Sequence, residues 1–472
     1  MKKVSIDKAS YEGYAVLKGG EVIKLFNDNS DLVTDRDSNA FPVEVSIGGK
    51  KKTIDFIRRG RNCDLQRNLL KKIGENITVS ANIDHKDKVV FGDGVLVYRE
   101  KRDGTGKITR EELMESDAPE IFEFMRLNDY NQIRMELAND LNIFGDAYIE
   151  YVFNRESKPK IAELRVRETA FSLISKVDEK TGKSEWHGYS DEWHKGTPQE
   201  NVIVTPLLDR RASLRDLAQR IGMAPNKDGK QEAVKDRRFV HNLKVNTPGR
   251  FYYSHPYWWS VFLSGWYDFA SAIPKYKRAL MKNQVSLRYL VYIHADFWGK
   301  LYKAEKITDE KKQAERRSRF LSEMEEYLAG EENAGKTFVS EFRYDKIKGF
   351  EEKDIIIEQL ENKKAGGEYI EDSEEATNNL CYAMNIHPSI IGASGKSKTI
   401  NGTEARELST IEQGSMKYIQ DLTLLPLEVV KVINGWDKDI HFSVTNIQLT
   451  TLDKGTGAVK NTGIPKVTEE KQ

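Results

Sequence analysis

The 472-residue chain has only two cysteines, Cys63 and Cys381, and no Cys-x-x-Cys pair. That excludes a disulfide framework and suits a reducing compartment. Eight scattered histidines and no His-Glu-x-x-His leave a zinc site without a ligand pattern, so neither a metal nor a cofactor is expected. An excess of one charge is lacking too, since 74 basic residues face 74 acidic ones. The balance excludes a generally basic nucleic-acid coat while leaving room for a local patch. Long apolar runs are also missing. The N-terminal MKKVSIDKASYEGYAV has no hydrophobic stretch of the kind a secretory signal carries. The longest uncharged stretch, Phe251 to Tyr267, contains Pro256 and falls short of the roughly 20 apolar residues a membrane span needs. The expectation is a soluble, intracellular chain of two or three domains, with no membrane partner.

What is present includes a near-miss to a phosphate-binding loop, IIGASGKSKTINGTEAREL (Ile390 to Leu408). A nucleotide-binding loop needs four residues between its first glycine and Gly-Lys-Ser, and a strand before it, so that successive N–H groups wrap the phosphates. Here only Ala393 and Ser394 separate Gly392 from Gly395, and the preceding EDSEEATNNLCYAMNI has helical spacing through Leu380, Ala383 and Met384. Pro388 stops that helix. The pattern is helix, Pro stop, a polar loop from Gly392 to Gly402 with Lys396 and Lys398 and no acid, and a new helix with Thr403 as its N-cap. Other catalytic groups do not converge. Cys381 and His387 flank a helix end without an orienting acid, and a core cysteine beside a surface histidine is the better account. No enzyme is expected. Two alternatives stay open: a nucleotide-binding ATPase using the lysine loop, and a peripheral membrane protein using Trp258, Trp259 and Trp266 as an interfacial wedge.

Along the chain, residues 1–60 mix short strands (EVIKLF, FPVEVSIGG) with polar loops. From Leu65 a helix leads to KVVFGDGVLVYRE, a strand–turn–strand pattern around Gly-Asp-Gly. In MELANDLNIFGDAYIEYVF, Ile133, Leu137, Leu141 and Phe144 recur at helical spacing, Gly145 is a natural stop, and a strand follows. Lys180-Thr181-Gly182 is turn chemistry between two further strands, and Asp209 to Arg238 reads as a mobile excursion. A helix with an apolar stripe (Trp259, Phe262, Leu263, Trp266, Phe269, Ile273) then bends at Pro274 and turns basic through Lys275, Lys277, Arg278, Lys282 and Arg288. Strand YLVYIHADFWGKLY, helix DEKKQAERRSRFLSEMEEYLA and strand KTFVSEFR make a compact α/β piece. A second long helix is expected over Asp354 to Ile386, irregular near Gly366-Gly367. It carries Asp354, Glu358, Glu361, Glu368, Glu371, Asp372, Glu374 and Glu375 against Lys363 and Lys364. Opposite charge could glue the two long helices together within one chain. Copies arranged around an axis could instead line a bore with acids that repel a DNA backbone and let it slide.

In this order of parts the chain resembles the portal proteins of tailed bacteriophages, particularly those of Bacteroidetes-type phages. LANDLNIFGDAYIEY looks like the family's wing signature, and HPYWWSVFLSGWYDFASAIPKYKRALMKNQVSLRYLVYI like its first stem helix entering the clip. YAMNIHPSIIGASGKSKTINGTEAREL is similar to the end of the second stem helix, the tunnel loop and the next helix, with the family's Ile/Val-x-Pro-x-x-(Ile/Leu)-Gly pattern. The resemblance spans roughly Leu65 to Leu452. It implies an α+β protomer with residues 1–257 as N-terminal region and mixed α/β wing, 258–288 as first stem helix and 289–353 as a small α/β clip. Residues 354–391 would be the second stem helix and Pro stop, and 392–402 the tunnel loop. Residues 403–452 would return to the wing, and 453–472 would form a disordered tail with little or no crown. It also implies a ring, usually of twelve subunits, at one capsid vertex of the virion, assembled in the host cytoplasm. Its partners would be the terminase large subunit, a head-completion or adaptor protein, the major capsid or scaffolding protein, and double-stranded DNA bound without sequence specificity. Ser394, Lys396, Ser397, Lys398, Thr399 and Asn401 would face DNA through its phosphates. Glu361, Glu368, Glu371, Asp372 and Glu375 are the candidate channel-lining acids.

Overall fold

The clearest pattern in the sequence, an apolar helical repeat ending in glycine, lies at the centre of the fold. In the computed structural model, helix Tyr130–Phe144 buries Ile133, Leu137, Leu141 and Phe144. Gly145 closes it in the left-handed region at φ 72°, its N–H bonded to Leu141 O. Strand Asp146–Phe153 follows as the middle of a three-stranded antiparallel sheet, between Ile161–Arg167 and Arg238–Lys244. The structure describes residues 14–16, 22–24, 40–60, 62–102, 104, 108–156, 158–193, 201–225, 236–286, 289–329, 342–345, 350–359, 368–392 and 402–447. They form a mixed α+β chain of helices and small antiparallel sheets, divided into two compact units, Met1–Tyr267 with Ala376–Gln472, and Asp268–Glu375.

The first unit has two principal apolar clusters. One gathers helix Tyr130–Phe144, its sheet and helix Gly402–Asn434, including Leu424, Leu427, Val430 and Ile433. After that helix, Ile440–Val444 pairs with Val95–Arg102, itself paired with Ile108–Glu112. The other cluster begins at hairpin Ala40–Ile47 and Lys50–Ile57. Gly48 and Gly49 both take positive φ (56° and 79°), as a two-residue turn of this hand requires. Its inward Phe41, Val43, Val45, Ile54 and Phe56 pack with Leu173, Ile174 and Trp193.

Strand Asp146–Phe153 is covered on both faces, yet carries two carboxylates with no exposure, Asp146 and Glu150. Both are met by arginine, as buried charge requires. Asp146 Oδ2 accepts from Arg59 at 2.9 Å and from the Ser254 N–H at 2.7 Å. Glu150 accepts from Arg167 at 2.7 Å and Arg238 at 2.8 Å. Nearby, Asp140 accepts the Thr169 N–H at 2.9 Å, yet burial pushes its carboxyl up to about 7. The folded chain therefore binds this proton more tightly than the unfolded chain. Its contribution to stability is full below about pH 4 and is lost as pH rises towards 7. Asp140→Asn, which keeps an acceptor for Thr169, should gain on the order of 1–2 kcal/mol over the parent at pH 8 and nothing at pH 4. Urea midpoints across that range would read this, and parallel profiles for the two proteins would refute it.

In the second unit, strand Tyr289–Ile293 pairs with Ile355–Gln359 and Phe342–Asp345 with Phe350–Lys353, alongside helices Ala295–Ala304 and Glu310–Ala329. Phe297, Trp298 and Phe320 cluster with ring centroids 5.3–5.6 Å apart. Arg316 bonds Glu305 at 2.8 Å and Lys300 bonds Asp354 at 2.8 Å.

Several expectations are corrected. The helix expected over Asp354 to Ile386 begins only at Glu368, because the β-branched run Ile355-Ile356-Ile357 pairs as a strand. The α/β piece therefore extends past Lys353. The helix expected over 258–288 is three pieces, Tyr257–Trp259, Ser260–Leu263 and Trp266–Ser286, parted at Gly265 with φ 80°. Pro274, where a bend was expected, sits inside the last piece. Lys88 to Phe91 finish helix Ile77–Phe91, so Gly92-Asp93-Gly94 joins a helix to a strand. The excursion at 209–238 contains helix Ser213–Arg220, and its residues 226–235 lie outside the described set. The strand expected from Tyr289 stops at Ile293. His294 caps a helix there, its ring accepting from the Asp296 N–H. Of KTFVSEFR, only Phe342 and Arg343 are described, at the start of their strand. Thr403 is not an N-cap, since the helix already includes Gly402. The tail at 453–472 lies outside the described residues.

Candidate functional site

The six loop residues expected to face DNA, Ser394, Lys396, Ser397, Lys398, Thr399 and Asn401, lie outside the described residues, as do Glu361 and Arg288. What the structure describes is the base on which that loop stands. Helix Glu368–Ala383 ends as Asn385 takes φ 56° and the Ile386 N–H reaches back to Cys381 O at 3.0 Å. His387-Pro388-Ser389-Ile390 forms a turn through Ile390 N–H to His387 O at 3.0 Å, and Gly392 takes φ 75°. The chain resumes in helix Gly402–Asn434, whose first turn Arg406 ties by donating to Gly402 O at 3.1 Å.

Below this base is a cavity of about 530 Å³, lined among others by Tyr382, Asn385, His387, Leu408, Ile411 and Glu412. Glu412 Oε2 faces His85 Nε2 at 2.8 Å, while among the described residues its Oε1 has no partner. Tyr382 and Ile411 are 85% and 67% exposed, and Asn378, Asn385 and His387 are exposed beside them, so the rim of the cavity is mixed. Lys86, held near Glu412, is pushed down to about 8 by burial.

The charged positions sort by helix geometry. Glu368, Glu371, Asp372 and Glu375 recur at i, i+3, i+4 and i+7, one stripe of a helix whose other face buries Ala376, Leu380 and Cys381. Glu371 and Glu375 are exposed and Asp372 half-buried. Positions 275, 278 and 282 likewise share one face of helix Trp266–Ser286, with Lys275 and Arg278 exposed. Lys277 is half-buried and falls on another face. No ion pair joins Lys275, Lys277 or Arg278 to Glu371 or Asp372. Among these residues, then, opposite charge does not glue the two helices within one chain.

The cysteine and the tryptophans take structural places. Cys381 is fully buried beside Asn82, and burial pushes its thiol up, so it is no poised nucleophile. His387 is exposed. Trp258 and Trp259 are buried, donating their indole N–H groups to Asn142 O at 2.8 Å and Ile143 O at 3.0 Å. They satisfy the carbonyls at the end of helix Tyr130–Phe144, a use no spacing rule pointed to, and cannot act as a surface wedge. No described helix is long and apolar enough to cross a membrane. Among the described residues, no group of three or more His, Cys, Asp or Glu could hold a metal. Helix and turn, rather than a strand, precede Gly392, so the context of a nucleotide-binding loop is missing.

No protein-family model matches the chain, and no curated protein sequence does. Solved structures do. A chain from the neck of an empty gene transfer agent (GTA) particle, computed with C6 symmetry, superposes with TM-score 0.52 at 13% identity, covering 85% of this chain and 87% of that one. A chain from the virion of a native GTA particle gives TM-score 0.51 at 12% identity, covering 82% and 85%. At such identities the likeness is one of fold.

Proposed function

We propose that this chain is the portal protein of a tailed phage or phage-like particle. It would form a ring at one capsid vertex, through which double-stranded DNA is packaged and ejected. The observation that carries this reading is the fold shared, over 85% of the chain, with a component of a particle neck. The order of the sequence motifs supports it independently. In this reading residues 1–257 and 403–447 build the wing, and Trp266–Ser286 is the first stem helix. The unit between Tyr289 and Gln359 is the clip, which docks the terminase large subunit and later an adaptor. Glu368–Ala383 is a second stem helix shorter than the sequence implied, and 392–402 the tunnel loop. The major capsid or scaffolding protein would surround the wing.

The protein would be no enzyme. The motor hydrolyses ATP, and Lys396 and Lys398 touch phosphates without reading sequence. The acidic stripe would repel DNA and keep it sliding. Negative-stain microscopy of the purified protein should show closed rings with a central hole, and Lys396→Ala with Lys398→Ala should preserve them while changing DNA packaging or retention. A protein that stays monomeric under all assembly conditions would overturn the ring. A double variant that fails to form rings would make the loop structural instead.

A further inference from the structure

Strand Arg238–Lys244 is the edge of its sheet. The Phe153 N–H bonds Arg237 O at 2.9 Å and the Val245 N–H bonds Gly145 O at 2.8 Å, which fixes the alternation between them. Residues 239, 241 and 243 bond to strand Asp146–Phe153, and the main-chain groups of 240, 242 and 244 face outward. Val240 C=O is taken by the Leu208 N–H at 2.9 Å, across a parallel bridge from Leu207 to Val240. The chain then leaves the edge, because the Asp209 N–H turns to Asp216 Oδ2 at 3.0 Å as helix Ser213–Arg220 begins. Lys244 C=O, two residues on, accepts from the Tyr418 hydroxyl. Asn242 is left between them. Among the described residues neither its main-chain N–H nor its C=O has a partner, and its side-chain Oδ1 has none although the residue is only 6% exposed. Folded proteins leave few such groups without a partner.

Asn242 lines a cavity of about 390 Å³, within the size range of ligand pockets. Ile174, Val177, Leu207 and Tyr252 supply apolar wall, and the charged lining is three cations, Lys183, Arg210 and Arg211, against one carboxylate, Asp209. Lys183 is held by Asp209 at 2.9 Å and Asp216 at 3.4 Å. Arg210 is fixed by its bond to Phe251 O at 2.9 Å, and both it and Arg211 are exposed at the rim.

We propose that this cavity receives an extended, acidic peptide segment of a partner protein, which continues the sheet edge at Asn242 and sets a carboxylate against Arg210 and Arg211. Strand addition supplies what the edge lacks: a backbone C=O for the Asn242 N–H, an N–H for its C=O, and an apolar side chain for the wall. The cationic rim selects the charge.

The probe is a pool of acetylated, amidated pentapeptides Ser-X-Asp-X-Ser, with X valine or isoleucine, and a matched pool with lysine in place of aspartate. Hydrogen exchange of the whole protein is followed by mass spectrometry. The aspartate pool at millimolar concentration should slow exchange of residues 238–244, and the lysine pool should not. Arg210→Glu with Arg211→Glu should weaken the protection by about tenfold in peptide concentration. Arg211→Glu alone, which leaves the Phe251 contact in place, should weaken it in the same direction. Absence of protection at 238–244, equal protection by both pools, or indifference to the arginine variants would each overturn the assignment.

Discussion

Asp146→Asn should lower the stability of the chain by about 3–5 kcal/mol, the cost of leaving one member of a buried ion pair without its partner. Arg59 is 4% and Asp146 0% exposed, and their contact is 2.9 Å. The asparagine still accepts from the Ser254 N–H, so the loss would report the guanidinium rather than a missing acceptor. That guanidinium also donates to the Tyr148 hydroxyl at 3.2 Å and lies 4.0 Å from the Tyr253 ring centroid, so it has nowhere wetter to go. Replacing both charges, with Arg59→Met and Asp146→Asn together, should recover a substantial part of the loss, because an apolar chain of similar reach leaves no buried cation. Urea unfolding of the three proteins would measure this. A single variant within about 1 kcal/mol of the parent, or a double variant worse than the single, would show that the pair does not govern the site.

How much of this was legible beforehand follows from which forces act locally. Helix Tyr130–Phe144, its Gly145 stop and the strand after it were readable, because periodicity and a left-handed stop are written in neighbouring residues. So was the return of Ile440–Val444 as a strand, whereas the helix expected to reach Ile386 ends already at Ala383, turned by Asn385 ahead of Pro388. The helix expected across Ile355 to Gln359 failed for a long-range reason. The charge of the surrounding residues suggested a solvated helix, but the decisive partner, Tyr289–Ile293, is far away in sequence. Neither the Arg59–Asp146 contact nor the two indoles on the helix end were legible, since each joins segments more than eighty residues apart. A faint signal existed in the carboxylates of DAYIEYVF, four apart and so on one face of a strand, inside an otherwise apolar run. Of the candidate site, the helix, the turn after it and the helix that begins at Gly402 were readable, whereas the face on which Glu371, Asp372 and Glu375 fall was not, because it depends on helix rotation. The partnerless Asn242 was not, because it depends on where residues 207–209 leave a sheet edge.

Gly145→Ala should cost about 3 kcal/mol, and the reason is local crowding as much as backbone preference. An alanine at φ 72° gives up about 1–2 kcal/mol for the left-handed conformation alone. Its Cβ would in addition stand 2.8 Å from Ser254 Cβ and 3.1 Å from Pro256 Cγ. Those atoms cannot retreat freely. The Ser254 N–H is bonded to Asp146, and the following Trp258 and Trp259 are anchored on Asn142 and Ile143, so the whole 254–259 segment is tied to the helix end it would have to leave. Overpacking of this kind adds about 1–3 kcal/mol. Gly49→Ala isolates the backbone share, because Gly49 has φ 79° with nothing within 4 Å of an added Cβ. Its loss should therefore stay near the left-handed cost. Equal losses at the two positions, measured by urea unfolding, would mean that the segment around Ser254 yields to the methyl group. A larger loss at Gly145 would mean that the helix end, the central strand and the tryptophan-bearing segment are locked at a single point.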